Sequence, residues 1–364
     1  MKIKEIWVGD IRIPLIRPFV TAVRRVSTVE SKIVKIITDT GHVGYGEGPC
    51  TGPITGDTKE SIAQAILCHI KPAILGMEIR NLEDIMYQIH HCLVGNPSAK
   101  ACVDMAIYDL YGQLHGAPLY QLLGGHRQSL VTDMTISVGE TQTMITESLK
   151  AIEKGFTTLK LKVGTEGLAD IQKVMAIKKA INNPTIKLCV DANQGWQTKE
   201  AIRIIKTLED RGADLELVEQ PVIASDMKGM AQITQQTLTL IVADEGVASP
   251  RQALAFFEAG AADMVNIKLM KAGGIYNALK ICAIAETYGK SCMIGSMLES
   301  HLSVSAAAHL ACGKRVIKKI DLDTPLMGKT ASVQGHVKYE DSRLLMTGGT
   351  GLGVEGLNTN VVEI

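Results

Sequence analysis

Eight ionisable residues from position 160 onward carry the chemistry: Lys160, Lys162, Asp191, Glu219, Asp244, Lys268, Asp321 and Asp323. From Lys162 to Lys268 the successive intervals are 29, 28, 25 and 24 residues. Asp191, Glu219 and Asp244 offer three carboxylates, a set that suits a hard divalent cation such as Mg2+ and leaves octahedral positions for substrate or water. Three separate salt bridges or helix caps are the alternative. In a strand, Lys160 and Lys162 point the same way. Two ammonium groups about 6 Å apart, at an effective dielectric of about 20, repel by about 2.8 kcal/mol, or roughly 2 pKa units. One of the two is therefore expected to fall from about 10.4 towards about 8, a useful value for a general base. Lys268 is expected across the site, where two opposed lysines can remove and return a proton on opposite faces of one carbon. Asp321 and Asp323, also two apart, suit an ammonium ion.

These residues need elements that bring them to one place. Strand-like apolar runs occur at 132–138, 157–163, 186–193, 215–221, 238–245, 263–269, 291–296 and 316–323, with seven amphipathic stretches between them. In 198–212, Thr198 reads as the N-cap, Ala201, Ile204, Ile205 and Leu208 form the apolar face, and Gly212 stands at the end. Strands alternating with helices imply a parallel sheet with right-handed crossovers, and eight such strands can close. Pro325, just after the last run, argues that an eighth helix is missing or altered. The fold class is α/β: a (β/α)7β TIM-like barrel with an α+β capping domain. Barrel sites lie at the C-terminal ends of the strands, where the ionisable residues fall.

Residues 1–125 form the expected cap. Two or three strands come first, with a turn at Asp39–Gly41, and then helices near 58–75, 80–93 and 98–115. The barrel is assigned to 126–325, and 326–364, Gly-rich at 348–351, is expected to return to the cap.

Composition narrows the function. Lys and Arg total 38, as do Asp and Glu, so no basic excess invites nucleic acid or an anionic membrane. Aromatic residues are only 4%, which disfavours base-stacking surfaces. No apolar run reaches the roughly 20 residues of a membrane span, and the opening MKIKEIWVGD has no signal-like pattern. The eight cysteines form no CxxC pair and read as reduced thiols of a cytoplasmic protein.

LKLKVG (159–164), VDANQGW (190–196), VEQP (218–221), ADE (243–245) and NIKLMKAGG (266–274) resemble the enolase superfamily, muconate-lactonizing subgroup, over nearly the whole chain. The resemblance implies abstraction of a proton α to a carboxylate, assisted by Mg2+ on Asp191, Glu219 and Asp244. It further implies Lys162 and Lys268 as the acid/base pair and Lys160 on the substrate carboxylate. DLDTPLM (321–327) is similar to the dipeptide epimerases, in which such a DxD holds the free amine of the substrate. The implied activity is a 1,1-proton transfer on a small dipeptide, L-Ala-L-Glu or L-Ala-D-Glu, in murein-peptide breakdown. Arg24, or its neighbour Arg25, is then expected to grip the glutamate side chain, and the loop 53–58 to close over the site with it. Thr135, Ser296 and the backbone of Leu298 are expected to line the site. His301 and His309 are read as structural. Other activities of the subgroup (cycloisomerase, o-succinylbenzoate synthase, N-acylamino-acid racemase), epimerisation of other dipeptides, and a binding scaffold without turnover are the rival readings. Barrels of this size often assemble as homo-oligomers.

Overall fold

From Gly9 to Leu15 every second residue of strand Ile3–Val20 is buried, as a strand with one solvated face requires. The computed structural model describes residues 1–21, 25–335 and 337–364. Ile3–Val20 pairs antiparallel with Arg25–Thr38, and Arg25–Thr38 with Val43–Pro49. The expected turn lies at Asp39–Gly41, where Gly41 takes φ +82° and Thr38 N–H donates to the His42 carbonyl at 3.0 Å. Val362–Glu363 adds a fourth strand beside Asp10 and Ile11.

Helix Pro97–Leu114 lies directly on this sheet because Gly44, Gly46 and Gly48 present no side chain to it. A Cβ there would stand 2.4 Å from the Ala106 carbonyl oxygen, 1.9 Å from that of Cys102 and 2.8 Å from that of Ser98. Two strand residues span about 6.8 Å and four helix residues about 6 Å, so alternate glycines meet successive helix turns. The other expected cap helices are Leu82–His91 and a run from Lys59 to Ile74 that passes through a π-helical turn at Ala65–Ile70.

All eight expected barrel strands form, shorter than their apolar runs: Met134–Ile136, Thr158–Lys162, Lys187–Asp191, Leu215–Glu219, Leu240–Ala243, Met264–Ile267, Ser291–Gly295 and Ile317–Asp321. They make one parallel sheet in chain order. Seven long helices connect them, and a 3-10 turn at Thr324–Met327 stands in place of the eighth. The seam between the first and eighth strands is closed largely by side chains. Leu322 N–H donates to Thr132 Oγ1 at 2.8 Å and Thr135 N–H to Asp323 Oδ2 at 2.6 Å, beside one backbone bond from Asp133 N–H to the Ile320 carbonyl at 3.2 Å. Cys189, Leu217, Val242, Met264 and Met293 form a buried apolar cluster on the barrel strands.

One local expectation is corrected. Helix Thr198–Asp210 is capped by Gln197, which forms a capping box with Glu200. Thr198 instead donates to Asp226 Oδ2 at 2.9 Å. All eight cysteines are free thiols. Among the described residues no helix is long and apolar enough to cross a membrane.

Candidate active site

Register sets the site. Lys162 pairs with Asp191 and Asp191 with Glu219 across three adjacent strands, so their side chains leave the sheet at one level. Asp244 follows the fifth strand and Lys268 the sixth. All five are buried. Carboxylate oxygens of Asp191, Glu219 and Asp244 lie within 4.8 Å of one another.

The lysines are attached to this cluster at defined points. Lys162 Nζ lies 2.6 Å from Asp191 Oδ2 and Lys268 Nζ 2.7 Å from Asp244 Oδ2. Lys160 lies beneath, 1% exposed, with its ammonium 2.6 Å from Asp321, 2.8 Å from Glu219 and 3.2 Å from Asp191. The expected repulsion between Lys160 and Lys162 does not set the state of Lys160. Burial alone would lower its pKa, but Asp321, Glu219 and Asp191 outweigh burial and hold it well above the ordinary lysine value. Lys268 is raised in the same way: burial opposes the charge, and Asp244 and Glu219 overcome it. Burial, then the neighbouring Asp191, pushes Glu219 up to about 8.

Three buried carboxylates this close fit a hard divalent cation better than they fit one another, since like charges in a low-dielectric site disfavour joint ionisation. Neighbouring residues orient them. Asn193 N–H donates to Asp191 Oδ1 at 2.8 Å, and Asn266 Nδ2 to Glu219 Oε1 at 3.0 Å. Lys271 Nζ donates to Asp244 Oδ1 at 2.6 Å and also to its carbonyl oxygen. Gln220 Oε1 accepts from Asp244 N–H at 2.9 Å and Gly246 N–H at 3.0 Å, which locks the loop after the fifth strand.

A cavity opens above this layer. Its walls include Lys162, Lys268, Thr135, Ser296, Leu298, Asp321 and Asp323, so seven of the sequence-derived residues share one space. Phe19, Ile54, Asn193, Met297 and Thr324 complete much of the wall. Ile54 belongs to the short helix Gly52–Thr55, which places the 53–58 loop at the mouth. Ser296 Oγ and Thr324 Oγ1 are 3.0 Å apart. Arg24 lies outside the described residues; Arg25 lines a neighbouring groove with Arg17 and Glu147, not this cavity. His309 is structural: its Nδ1 accepts the Tyr120 N–H at 3.0 Å.

Sequence reasoning passed over Asp133, Asn266, Lys271 and Glu245, all in or beside this layer. For Asp133 a signal existed: it stands two residues before Thr135 and so shares its face of the strand.

Comparison with known proteins assigns the chain to a family. Residues 4–124 match the mandelate racemase / muconate lactonizing enzyme N-terminal domain, and residues 143–358 the enolase C-terminal domain-like family. The chain is 51% identical to the L-Ala-D/L-Glu epimerase of Clostridium acetobutylicum, covering 98% of this chain and 100% of that one. A substrate-liganded complex of the L-Ala-D/L-Glu epimerase from Bacillus subtilis aligns with TM-score 0.97 at 48% identity, over 98% of this chain and 100% of that one. A dipeptide epimerase from Enterococcus faecalis V583, complexed with Mg and L-Leu-L-Tyr, aligns with TM-score 0.94 at 42% identity, over 97% and 99%. With both halves of the chain matched, this protein belongs to the mandelate racemase / muconate lactonizing enzyme family of the enolase superfamily.

Proposed function

We propose that the protein is an isomerase that epimerises L-Ala-D/L-Glu dipeptides by a 1,1-proton transfer at the α-carbon of the C-terminal residue. The observation that carries this reading is the placement of Lys162 and Lys268 at the two ends of one carboxylate cluster, both on the wall of one cavity. Asp191, Glu219 and Asp244 would hold Mg2+, which when bound supplies positive charge to the substrate carboxylate as its α-carbon loses a proton.

The chain's own residues do the rest. One lysine, as the free amine, takes the α-proton; the C–H electron pair moves into the adjacent carboxylate. The other lysine, as the ammonium, returns a proton to the opposite face, and the configuration inverts. Lys160 is assigned to the substrate carboxylate: once Asp191 and Glu219 serve the metal, two of its three partners are engaged elsewhere. Its fixed charge then stands where negative charge develops. Asp321 and Asp323 receive the free amine of the dipeptide, which favours a dipeptide over an N-acylated amino acid. Thr135, Ser296 and Leu298 shape the wall, and Arg24 is assigned to the glutamate carboxylate. The Ala-Glu unit fits a role in murein-peptide breakdown in the cytoplasm.

The test is incubation of the purified protein with Mg2+ and L-Ala-L-Glu in heavy water, read by mass spectrometry and by chromatography of the diastereomers. One deuterium at the glutamate α-carbon together with L-Ala-D-Glu is the expected result. Neither exchange nor inversion on this or any other dipeptide of a library would overturn the reading.

A further inference from the structure

A second acidic cluster lies beside the first. Carboxylate oxygens of Asp133, Asp321 and Asp323 lie within 4.8 Å of one another, and all three residues are buried, Asp133 at 4% exposure and Asp323 at 0%. Oδ1 of Asp133 and Oδ1 of Asp323 are both buried without a hydrogen-bond partner. Two of the other oxygens are pinned: Asp321 Oδ2 by Lys160 at 2.6 Å, and Asp323 Oδ2 by the Thr135 N–H at 2.6 Å. Lys160 is shared with Asp191 and Glu219, so three carboxylates divide a fraction of one positive charge. Buried carboxylates so poorly compensated demand a cation or a proton. Accordingly Asp133 is held well above the ordinary carboxylate range, by burial first and then by Asp321 and Asp323.

Asp321 and Asp323 line the cavity and Asp133 does not. It directly precedes the first barrel strand and acts on the cavity only through those two neighbours. We infer that Asp133 is a specificity-determining residue of the amine subsite: a third carboxylate that makes the site demand a primary ammonium and reject a neutral N-acyl group. This rests on the dipeptide reading above. A primary ammonium brings one positive charge and three N–H donors into a place short of both. An acylated nitrogen brings one donor and no charge, and leaves the cluster as uncompensated as before. Asp133 acts through Asp321 and Asp323, so it is a positioning residue rather than a catalytic one.

The test compares L-Ala-L-Glu with N-acetyl-L-Ala-L-Glu as substrates of the Mg2+-loaded full chain. For Asp133→Asn, KM for the free dipeptide should rise about tenfold, the loss of the negative charge that Asp133 can take up only when a bound ammonium displaces its proton. The change should fall on KM more than on kcat. Rates on the acetylated substrate should not fall with it, so the preference for the free amine narrows by about the same factor. Relief of the cluster should leave the melting temperature of the ligand-free variant equal to or above wild type, which loss of a merely structural residue would not do. Asp133→Ser should narrow the preference likewise. Equal losses on both substrates, an unchanged KM, or failure of both variants to fold would overturn the inference. A wild-type protein that exchanges no α-proton on any dipeptide would instead defeat the functional reading, before Asp133 is touched.

Discussion

Lys162 and Lys268 bracket a single row of carboxylates: Lys162 is 2.6 Å from Asp191 on the third barrel strand, and Lys268 is 2.7 Å from Asp244 after the fifth, with Glu219 between. A substrate carboxylate drawn to the middle of that row has an amine on either flank. Lys162→Ala and Lys268→Ala should each lower epimerisation by about 10²–10⁴-fold, the usual weight of a general acid or base. Each variant should still exchange the α-proton of one diastereomer, and the two variants should retain opposite ones. Full activity in both, measured by chiral chromatography after incubation in heavy water, would exclude the two-base scheme.

The carboxylate row predicts a metal dependence. EDTA should abolish activity and Mg2+ should restore it. Mg2+ at 100 times its Kd should stabilise the fold by about 2.7 kcal/mol, because it binds the folded chain and not the unfolded one. Asp244→Asn should remove both the activity and the Mg2+-dependent rise in melting temperature. An Asp244→Asn protein that still gains stability from Mg2+ would place the ion elsewhere.

The cap depends on close approach of sheet and helix. A Cβ at position 46 would meet the Cys102 carbonyl oxygen at 1.9 Å, and backbone cannot rotate aside as a side chain can. Gly46→Ala should therefore cost at least the 1–3 kcal/mol typical of overpacking, roughly. Gly41→Ala, with open space around it but φ +82°, should cost only about 1 kcal/mol from left-handed strain. Urea melts of the two variants order the effects; the reverse order would refute the packing argument.

Much of the fold and of the site is legible in the sequence. Barrel strands ending in inward charged residues leave a repeating mark, apolar run then Lys, Asp or Glu; six of the eight runs carry it, and all eight form strands. The DxD was readable for the same reason. What was not readable depends on contacts distant in sequence. Lys271 sits in a stretch, LMKAGG, that looks like a solvated helix end, yet it is 4% exposed because Asp244 reaches it from another strand. The lysine repulsion depends on two neighbouring residues alone, whereas Asp321, 161 positions away, dominates the ion pairs of Lys160. Thr198 is of a residue type that favours a cap, but its hydroxyl is spent on Asp226 and Gln197 does the capping.

Substrate choice offers a contrast between neighbours. Arg25 lines the outer groove, away from the cavity that holds both lysines. Arg24→Ala should raise KM for L-Ala-L-Glu by about tenfold or more while sparing L-Ala-L-Leu, as loss of a charge-assisted contact implies. Arg25→Ala should change neither. Equal penalties on both dipeptides for Arg24→Ala would remove it from the side-chain subsite.

His309 links stability to pH. It sits on helix His301–Gly313, and its Nδ1 accepts the N–H of Tyr120 from the cap at 3.0 Å. Burial lowers its pKa to about 4, from an ordinary value of 6.5. Between those values the unfolded chain binds a proton that the folded chain refuses. Stability is therefore complete above pH 6.5 and is lost as pH falls towards 4, by at most about 3 kcal/mol from this residue. His309→Asn keeps an acceptor near the position of Nδ1 and removes the titration. Its melting temperature should fall less than that of wild type between pH 7 and pH 5. Parallel falls would show that protonation of His309 contributes nothing to acid unfolding, and that the cap–helix junction survives with a charged imidazole.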